Sequence, residues 1–254
     1  MILYFTGTGN SGLIARRLSE LLGDETVRLE YPFVKKITTA DKGMIIWVFP
    51  IYSWGIPPVV KKLISEIEIA FEVEHFMVCS CGDDIGKTAE DWRKLLKRRR
   101  WRPIGTWSVQ MPNIYVLLPG FNTDSKFIEH EKLVAANARI EVVARGIKHS
   151  ARVDDVVKGS VPWIKSRILK PLFVRFLMSP RPFHSDEHCT GCGKCARNCP
   201  MRNIEMKSSK PLWGKRCALC LECYHCCPVH SVCYGRITNS KGQYQAPSEL
   251  PPVD

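Results

Sequence analysis

The sequence predicts an α/β chain in two unequal parts: a doubly wound, five-stranded parallel sheet of order 2-1-3-4-5, then a small α+β unit rich in cysteine. Three observations predict it. Over residues 1–150 short continuous apolar runs alternate with helical patterns, which is how a sheet buried on both faces reads. A Gly-rich turn follows the first run and opens a helix. Of the 12 cysteines, two precede residue 180 and ten fall between Cys189 and Cys233, marking a change of domain.

At about 150 residues per domain, 254 residues hold one large domain or two smaller ones. A composition of 45% hydrophobic and 24% charged residues is that of a globular protein and excludes fibrous or wholly disordered chains. The longest nearly apolar run, Met44 to Tyr52, is far short of the ~20 residues a bilayer span needs. Met1 leads straight into Ile2 to Phe5 with no signal-peptide pattern, so the expected location is the cytoplasm. In a reducing compartment, so many cysteines point to metal or redox chemistry rather than to disulfides.

The first strand, Ile2 to Phe5, runs into Thr6, Gly7, Thr8, Gly9, Asn10 and Ser11, after which Leu13, Ile14, Leu18, Leu21 and Leu22 recur at helical spacing. Small residues let backbone N–H groups approach an anion, while hydroxyls and the helix N-terminus add donors and positive potential, so the loop is a candidate phosphate cradle. It is neither G-x-G-x-x-G nor G-x4-G-K-[ST], which disfavours dinucleotide and Walker sites. The hexapeptide resembles the phosphate-binding loop of flavodoxins, and that resemblance implies FMN.

Met44 to Phe49 reads as a third strand, His75 to Ser80 as a fourth and Thr106 to Gln110 as a fifth. Helical patterns cover Val59 to Ile67, entered by Pro57 and Pro58, then Thr88 to Leu96 and Glu131 to Arg145. In this strand order, ligand loops gather beyond the carboxyl ends of the strands, beside the first and third. The third strand ends in Pro50, Tyr52, Ser53, Trp54 and Gly55, where Tyr52 or Trp54 would stack on an isoalloxazine ring. The fourth ends in Cys81, Gly82 and Asp83, whose backbone reaches the flavin edge, while Cys79 belongs to the core. C-x-C is not the dithiol redox spacing. The stretch from Met111 through Pro112, Asn113, Tyr115, Pro119, Gly120 and Asn122 is long for a turn, and reads either as a lid or arrival surface at the flavin or as local packing.

At an offset of 28 residues, Cys189, Cys192, Cys195, Cys199 and Pro200 map onto Cys217, Cys220, Cys223, Cys227 and Pro228. Both copies read C-x2-C-x2-C-x3-C-P, the bacterial ferredoxin spacing in which the fourth thiolate serves the other cluster. Zinc favours paired knuckles, whereas here three cysteines run in series, twice. The segment resembles the bacterial two-cluster ferredoxins. That implies one [4Fe-4S] cluster on Cys189, Cys192, Cys195 and Cys227 and another on Cys217, Cys220, Cys223 and Cys199. Cys226, Cys233, His184, His188, His225 and His230 are left over.

With T-G-T-G-N-S, P-I-Y-S-W-G-I-P-P and V-Q-M-P-N-I-Y in front and both cysteine runs behind, the chain resembles the flavodoxin-ferredoxin fusion proteins of anaerobic bacteria and archaea. The resemblance implies a flavodoxin-like FMN domain over 1–150, a linker over 151–181, a two-cluster ferredoxin domain over 182–240 and a tail over 241–254. It implies electron transfer between clusters and flavin, coupling one-electron carriers to a two-electron donor or acceptor; the alternative is an FMN-dependent reductase of a small organic substrate. One departure is that the fourth-strand loop carries no aromatic residue.

The net charge of +12 is spread as +4 over 1–150, +5 over 151–183 and +3 over 184–254, which suits steering toward an acidic redox partner. The run Lys97 to Arg102 ends a helix, where cations favour the macrodipole, and reads as a solvated face rather than a nucleic-acid site. In the linker, Trp163, Ile164, Ile168, Leu172, Phe173, Phe176 and Leu177 alternate with Lys165, Arg167, Lys170 and Arg175. The expectation is an inter-domain strut with its apolar face buried, ahead of a membrane-surface helix, and Pro171 should start or kink a second helix.

Overall fold

The computed structural model describes residues 1–33, 36–37, 43–69 and 73–252, so the last two residues of the expected tail lie outside the described range. Strands β1 (Ile2–Tyr4), β2 (Thr26–Arg28), β3 (Met44–Pro50), β4 (Glu74–Cys81), β5 (Arg102–Gln110) and β6 (Asp154–Asp155) form one parallel sheet in the order β2-β1-β3-β4-β5-β6. The fold is flavodoxin-like α/β, with six strands where five are expected. The sixth escapes a pattern search because it is two exposed aspartates with nothing apolar to read. Cations hold it instead: Arg93 reaches Asp154 at 2.6 Å and Arg139 reaches Asp155 at 2.7 Å.

Alternation along β3 decides the layers, because successive side chains leave a strand on opposite faces. Ile45, Trp47 and Phe49 pack with α2 (Pro58–Glu66) and α3 (Thr88–Arg98), whereas Ile46 and Val48 pack with α1 (Asn10–Leu22) and α4 (Lys126–Lys148). Each large side chain so buried contributes about 1.5–3 kcal/mol, and the two faces together fix β3 and β4 at the centre. The helix α4 begins earlier than its apolar pattern, because the Ser125 side chain caps it by accepting from the Ile128 N–H at 3.4 Å.

Beneath α3 the basic run divides: Lys97, Arg98, Arg100 and Arg102 are exposed, as a solvated face requires, while Arg99 and Trp101 turn inward. Trp101 is buried and stacks 4.8 Å from His75, and the Arg99 guanidinium donates to the carbonyls of Ser65 and Ile67. The Trp47 indole N–H donates to Nδ1 of His75 at 3.0 Å, leaving Nε2 buried without a partner. Burial lowers the His75 pKa from 6.5 to about 3. Above pH ~6.5 the folded and unfolded chains are both neutral there; below it the unfolded chain takes up a proton that the fold refuses. Stability should therefore fall by about 1.4 kcal/mol per pH unit between about 6.5 and 3. In urea titrations at pH 7, 6 and 5, His75→Phe should remove that slope while keeping the stack on Trp101.

After β6 the chain enters the linker helix: α5 (Pro162–Ile164), a π-helical turn (Lys165–Leu169), α6 (Lys170–Leu172) and a second π-helical turn (Phe173–Leu177). Pro171 stands at the start of α6, and the flanking Leu169, Lys170, Leu172 and Phe173 keep helical backbone, because the i→i−5 bonding of the adjoining turns relieves the clash of a proline ring in a tighter helix. The strut expectation is not met in full. Ser166 is buried, Lys165 pairs with Asp84 at 2.6 Å and Arg167 pairs with Asp91 at 2.7 Å, so the polar side faces the sheet domain. Much of the apolar stripe points outward, with Trp163 56% and Phe176 66% exposed.

The cysteine-rich part pairs β7 (Phe183–Ser185) with β10 (Val232–Tyr234), both antiparallel, and adds the hairpin of β8 (Ile204–Lys207) and β9 (Lys210–Trp213). Short helices α7 (Lys194–Arg197) and α8 (Glu222–His225) follow equivalent cysteines of the two repeats. The repeat also shows in the backbone: Gly191, Gly193 and Arg202 have positive φ, and so do Leu219, Leu221 and His230 at the 28-residue offset.

The 111–124 segment is clamped between the two parts. Val116 and Leu117 are buried with Leu219, Tyr224 and Cys227, and His225 Nε2 lies 2.9 Å from the Ile114 carbonyl. The tail then returns to the first domain. Tyr244 is 1% exposed and its hydroxyl lies 2.7 Å from Asn10 Oδ1, while Ala246 sits over Gly9.

Candidate functional site

At the carboxyl ends of β1, β3 and β4 a cavity of about 320 Å³ opens, within the range of small-molecule and cofactor sites. Its wall brings together Thr6, Gly7, Thr8, Asn10, Ser11, Pro50, Tyr52, Ser53, Trp54, Cys81, Gly82 and Asp83. Gly9 and Gly55 stand off that wall. Gly9 lies under the tail residue Ala246, and Gly55 lies behind its turn against the Lys170 side chain.

The loop is shaped for an anion. Gly9 takes φ 101°, which a Cβ would strain, and gives α1 an N-terminus with no side-chain cap and no acid in the first turn. Thr6 accepts from the Gly9 N–H at 3.2 Å, and Ser11 and Ser80 share a hydrogen bond of 2.8 Å, which ties the loop to β4. The side chain of Asn10 donates to the Pro112 carbonyl at 3.0 Å. These contacts fix the loop while its helix N-terminus stays free for an oxyanion.

Tyr52 and Gly55 exchange backbone hydrogen bonds of 3.0 and 3.1 Å, closing a two-residue turn with Ser53 at φ 44° and Trp54 at φ 56°. Two non-glycine residues with positive φ cost of order 1 kcal/mol or more each, strain characteristic of ligand-holding turns. Trp54 is held from behind, with Lys165 5.4 Å from its ring centroid and Ser166 donating to its carbonyl at 3.0 Å. Opposite, Gly82 lines the cavity, and a Cβ there would overlap the Asn113 side chain, so the β4 loop and the 111–124 segment pack backbone against side chain. Cys81 lines the cavity, and burial pushes its thiol up to about 12, so it is a neutral wall; Cys79 is wholly buried behind it.

The cysteines segregate into two groups. The thiol of Cys195 is raised chiefly by burial and then by its neighbours Cys227, Cys189 and Cys192. That of Cys223 is likewise raised by burial, and its neighbours are Cys220, Cys217 and Cys199. Each group takes three cysteines from one repeat and the fourth from the other. Backbone N–H groups aim at equivalent sulfurs in both repeats: Asn203 at Cys199 (3.4 Å) and Ser231 at Cys227 (3.2 Å). Such donors suit thiolates, and hydrogen bonds to sulfur are one control on cluster potential. The donor sets therefore fit cubanes.

The two halves of the site meet at one point. A Cβ on Gly7 would overlap the Cys220 carbonyl oxygen and lie 2.7 Å from Cys220 Cβ, so the phosphate loop and the cysteine loop touch. Burial, and after it the thiols of Cys220 and Cys217, push the Tyr52 phenol well above its usual 10, which places the phenol beside that cysteine group. The other group reaches the surface: Cys192 is exposed and its carbonyl accepts from Arg197 at 2.9 Å.

Sequence reasoning missed Leu219, Cys220 and Leu221 as cavity wall, together with Phe173, Leu177 and Met178 from the linker helix. A signal for two of them was present. The 28-residue offset puts Leu219 and Leu221 where the first repeat has Gly191 and Gly193, and all four have positive φ. For leucine that backbone costs roughly 1–2 kcal/mol, and both strained side chains face the cavity. Leu219→Gly and Leu221→Gly should each lower unfolding stability by about 1–4 kcal/mol, since relieved backbone strain offsets only part of the buried side chain that is lost. Each should weaken binding of the flavin that the loop's resemblance implies by about tenfold through lost apolar contact, measured by fluorescence titration.

No curated protein matches the chain. Among solved structures it is similar to a flavone reductase at 15% identity, covering 84% of this chain and 80% of that one, with a TM-score of 0.39. It is similar to the two-electron reduced flavodoxin of Megasphaera elsdenii at 18% identity, covering 42% and 85%, with a TM-score of 0.35. It is also similar to the azoreductase AzrA at 9% identity, covering 60% and 99%, with a TM-score of 0.35. The fold assignment rests on the strand order. In sequence, residues 182–205, which hold Cys189, Cys192, Cys195 and Cys199, match the family model of the 4Fe-4S binding domain.

Proposed function

We propose that the chain is an electron-transfer protein that passes electrons between two [4Fe-4S] clusters and FMN, coupling one-electron carriers to a two-electron donor or acceptor. The observation that carries this reading is the contact of Gly7 with Cys220: one cavity is walled by an anion-binding loop and by a cysteine that belongs to a four-thiol group. When bound, a cluster exchanges one electron at a time and a flavin one or two; the chain supplies binding, orientation and electrostatics.

Each residue then has a stated part. Thr6 to Ser11 and the N-terminus of α1 hold the phosphate. Tyr52 and Trp54 supply aromatic surface on one side of the ring, and the backbone at Gly82 and Asp83 meets its edge. Cys217, Cys220, Cys223 and Cys199 hold the cluster next to the cavity, and Cys189, Cys192, Cys195 and Cys227 the outer one. Exposed Cys192, near Lys194 and Arg197, marks where an acidic protein carrier docks. The domains assigned from sequence are kept, with Asp154–Asp155 of the linker joining the sheet.

Iron, sulfide and flavin content of anaerobically purified protein tests the proposal. About eight iron, about eight sulfide and one FMN per chain are expected, with both chromophores bleaching in stepwise reduction. Clusters without flavin would reject the cavity assignment, and zinc without sulfide would reject the whole reading. A second reading, reduction of a small organic substrate, draws on the apolar half of the cavity formed by Ile114, Tyr115, Leu118 and Phe121. Steady turnover without a protein acceptor would favour it.

A further inference from the structure

The linker helix inverts the usual arrangement of a surface helix. Its cations Lys165 and Arg167 turn inward to Asp84 and Asp91, and its apolar side chains turn to solvent. Trp163 (56%), Ile164 (43%), Ile168 (44%), Leu172 (50%) and Phe176 (66%) are exposed, the last four at steps of four residues. In an α-helix such a row drifts around the axis; the wider π-helical turns at Lys165–Leu169 and Phe173–Leu177 bring it back into line. The result is a straight apolar ridge, and contiguous exposed apolar surface marks an interaction site.

We propose that this ridge docks the protein on an anionic lipid surface. Charge selects the occupant. From Val156 to Ser185 the sequence has no Asp or Glu and six Lys or Arg; Lys165 and Arg167 are paired inward and Lys170 lies against Gly55, which leaves Lys158, Arg175 and Arg181 exposed. Arg175, which lies 5.6 Å from the Phe176 ring, and Arg181, five residues beyond Phe176 in the chain, are both exposed. A second copy would bring two cationic ridges face to face, against like-charge repulsion. A protein partner would need a groove cut to the protruding aromatic ends, whereas a lipid interface yields to them and rewards each apolar tip and each cation. No described helix is long and apolar enough to cross a membrane, so the contact is peripheral. Because Phe173, Leu177 and Met178 of the same segment line the cavity, docking sets its wall beside the lipid.

Flotation of the full chain, with whatever cofactors it carries, on vesicles of phosphatidylcholine alone and of phosphatidylcholine with phosphatidylglycerol tests this directly. Binding to the mixed vesicles and little to the neutral ones is expected. Trp163→Ser with Phe176→Ser should weaken binding by about tenfold or more. Arg175→Gln and Arg181→Gln should each weaken it about fivefold, in a salt-sensitive way. All four positions are exposed, so far-UV circular dichroism and the unfolding midpoint should not move. Absence of flotation, equal flotation on neutral vesicles, or flotation indifferent to the aromatic pair would each overturn the proposal. So would a dimer, or a saturable complex with an acidic protein, that depends on the same aromatics while vesicles stay unbound. None of these results touches iron or flavin content, so this proposal and the redox reading fail separately.

Discussion

Cys220→Ser, on the two-cluster flavoprotein proposed above, is expected to lower iron from about eight to about four per chain and to disturb the visible spectrum of the flavin. Cys192→Ser is expected to cost the same iron and leave that spectrum unchanged. The difference follows from position: Cys220 lines the cavity and packs on Gly7, whereas Cys192 is exposed in the other group of four. Anaerobic purification, iron and sulfide assay and a flavin spectrum on each variant suffice. If Cys192→Ser perturbs the flavin and Cys220→Ser does not, the assignment of inner and outer clusters is reversed. The result also bears on fold, because Cys199 and Cys227 cross between the two groups and each group ties both repeats together.

Gly7→Val should abolish flavin retention through purification, and its iron content should show which loop has moved: iron stays where the phosphate loop yields and falls where the Cys220 loop does. Its β-carbon has no room beside the Cys220 carbonyl and Cβ, so either the phosphate loop or the cysteine loop must give way. Displacing the phosphate loop removes the N–H groups aimed at the anion. Displacing the cysteine loop opens the apolar wall of Leu219 and Leu221. Either movement should lower affinity by well over tenfold, since a loss of 1.4 kcal/mol already gives that factor. Flavin fluorescence titration reads the affinity, and thermal unfolding separates it from loss of the fold. Gly12→Ala, where a Cβ would meet its neighbours at an ordinary 3.6 Å, should bind flavin as the parent does.

What the sequence by itself determined was everything carried by local pattern. Apolar runs such as Met44 to Phe49 can only be buried on both faces, the glycines of T-G-T-G-N-S can only be a close-approach turn, and the 28-residue offset pairs the cysteines. These constraints act within one turn or strand, so residue order is enough to expose them. Tertiary structure decided whatever joins residues far apart in the chain. Asp154–Asp155 become a strand through Arg93 and Arg139, and Cys220 becomes a cavity wall because it rests on Gly7. Tyr244 reaches Asn10 across 234 positions. The linker shows the limit most plainly: its amphipathic pattern was legible, but which side faced inward was set by Asp84 and Asp91. A hydrophobic stripe states that two faces differ; only the partner available to each face decides which one is buried.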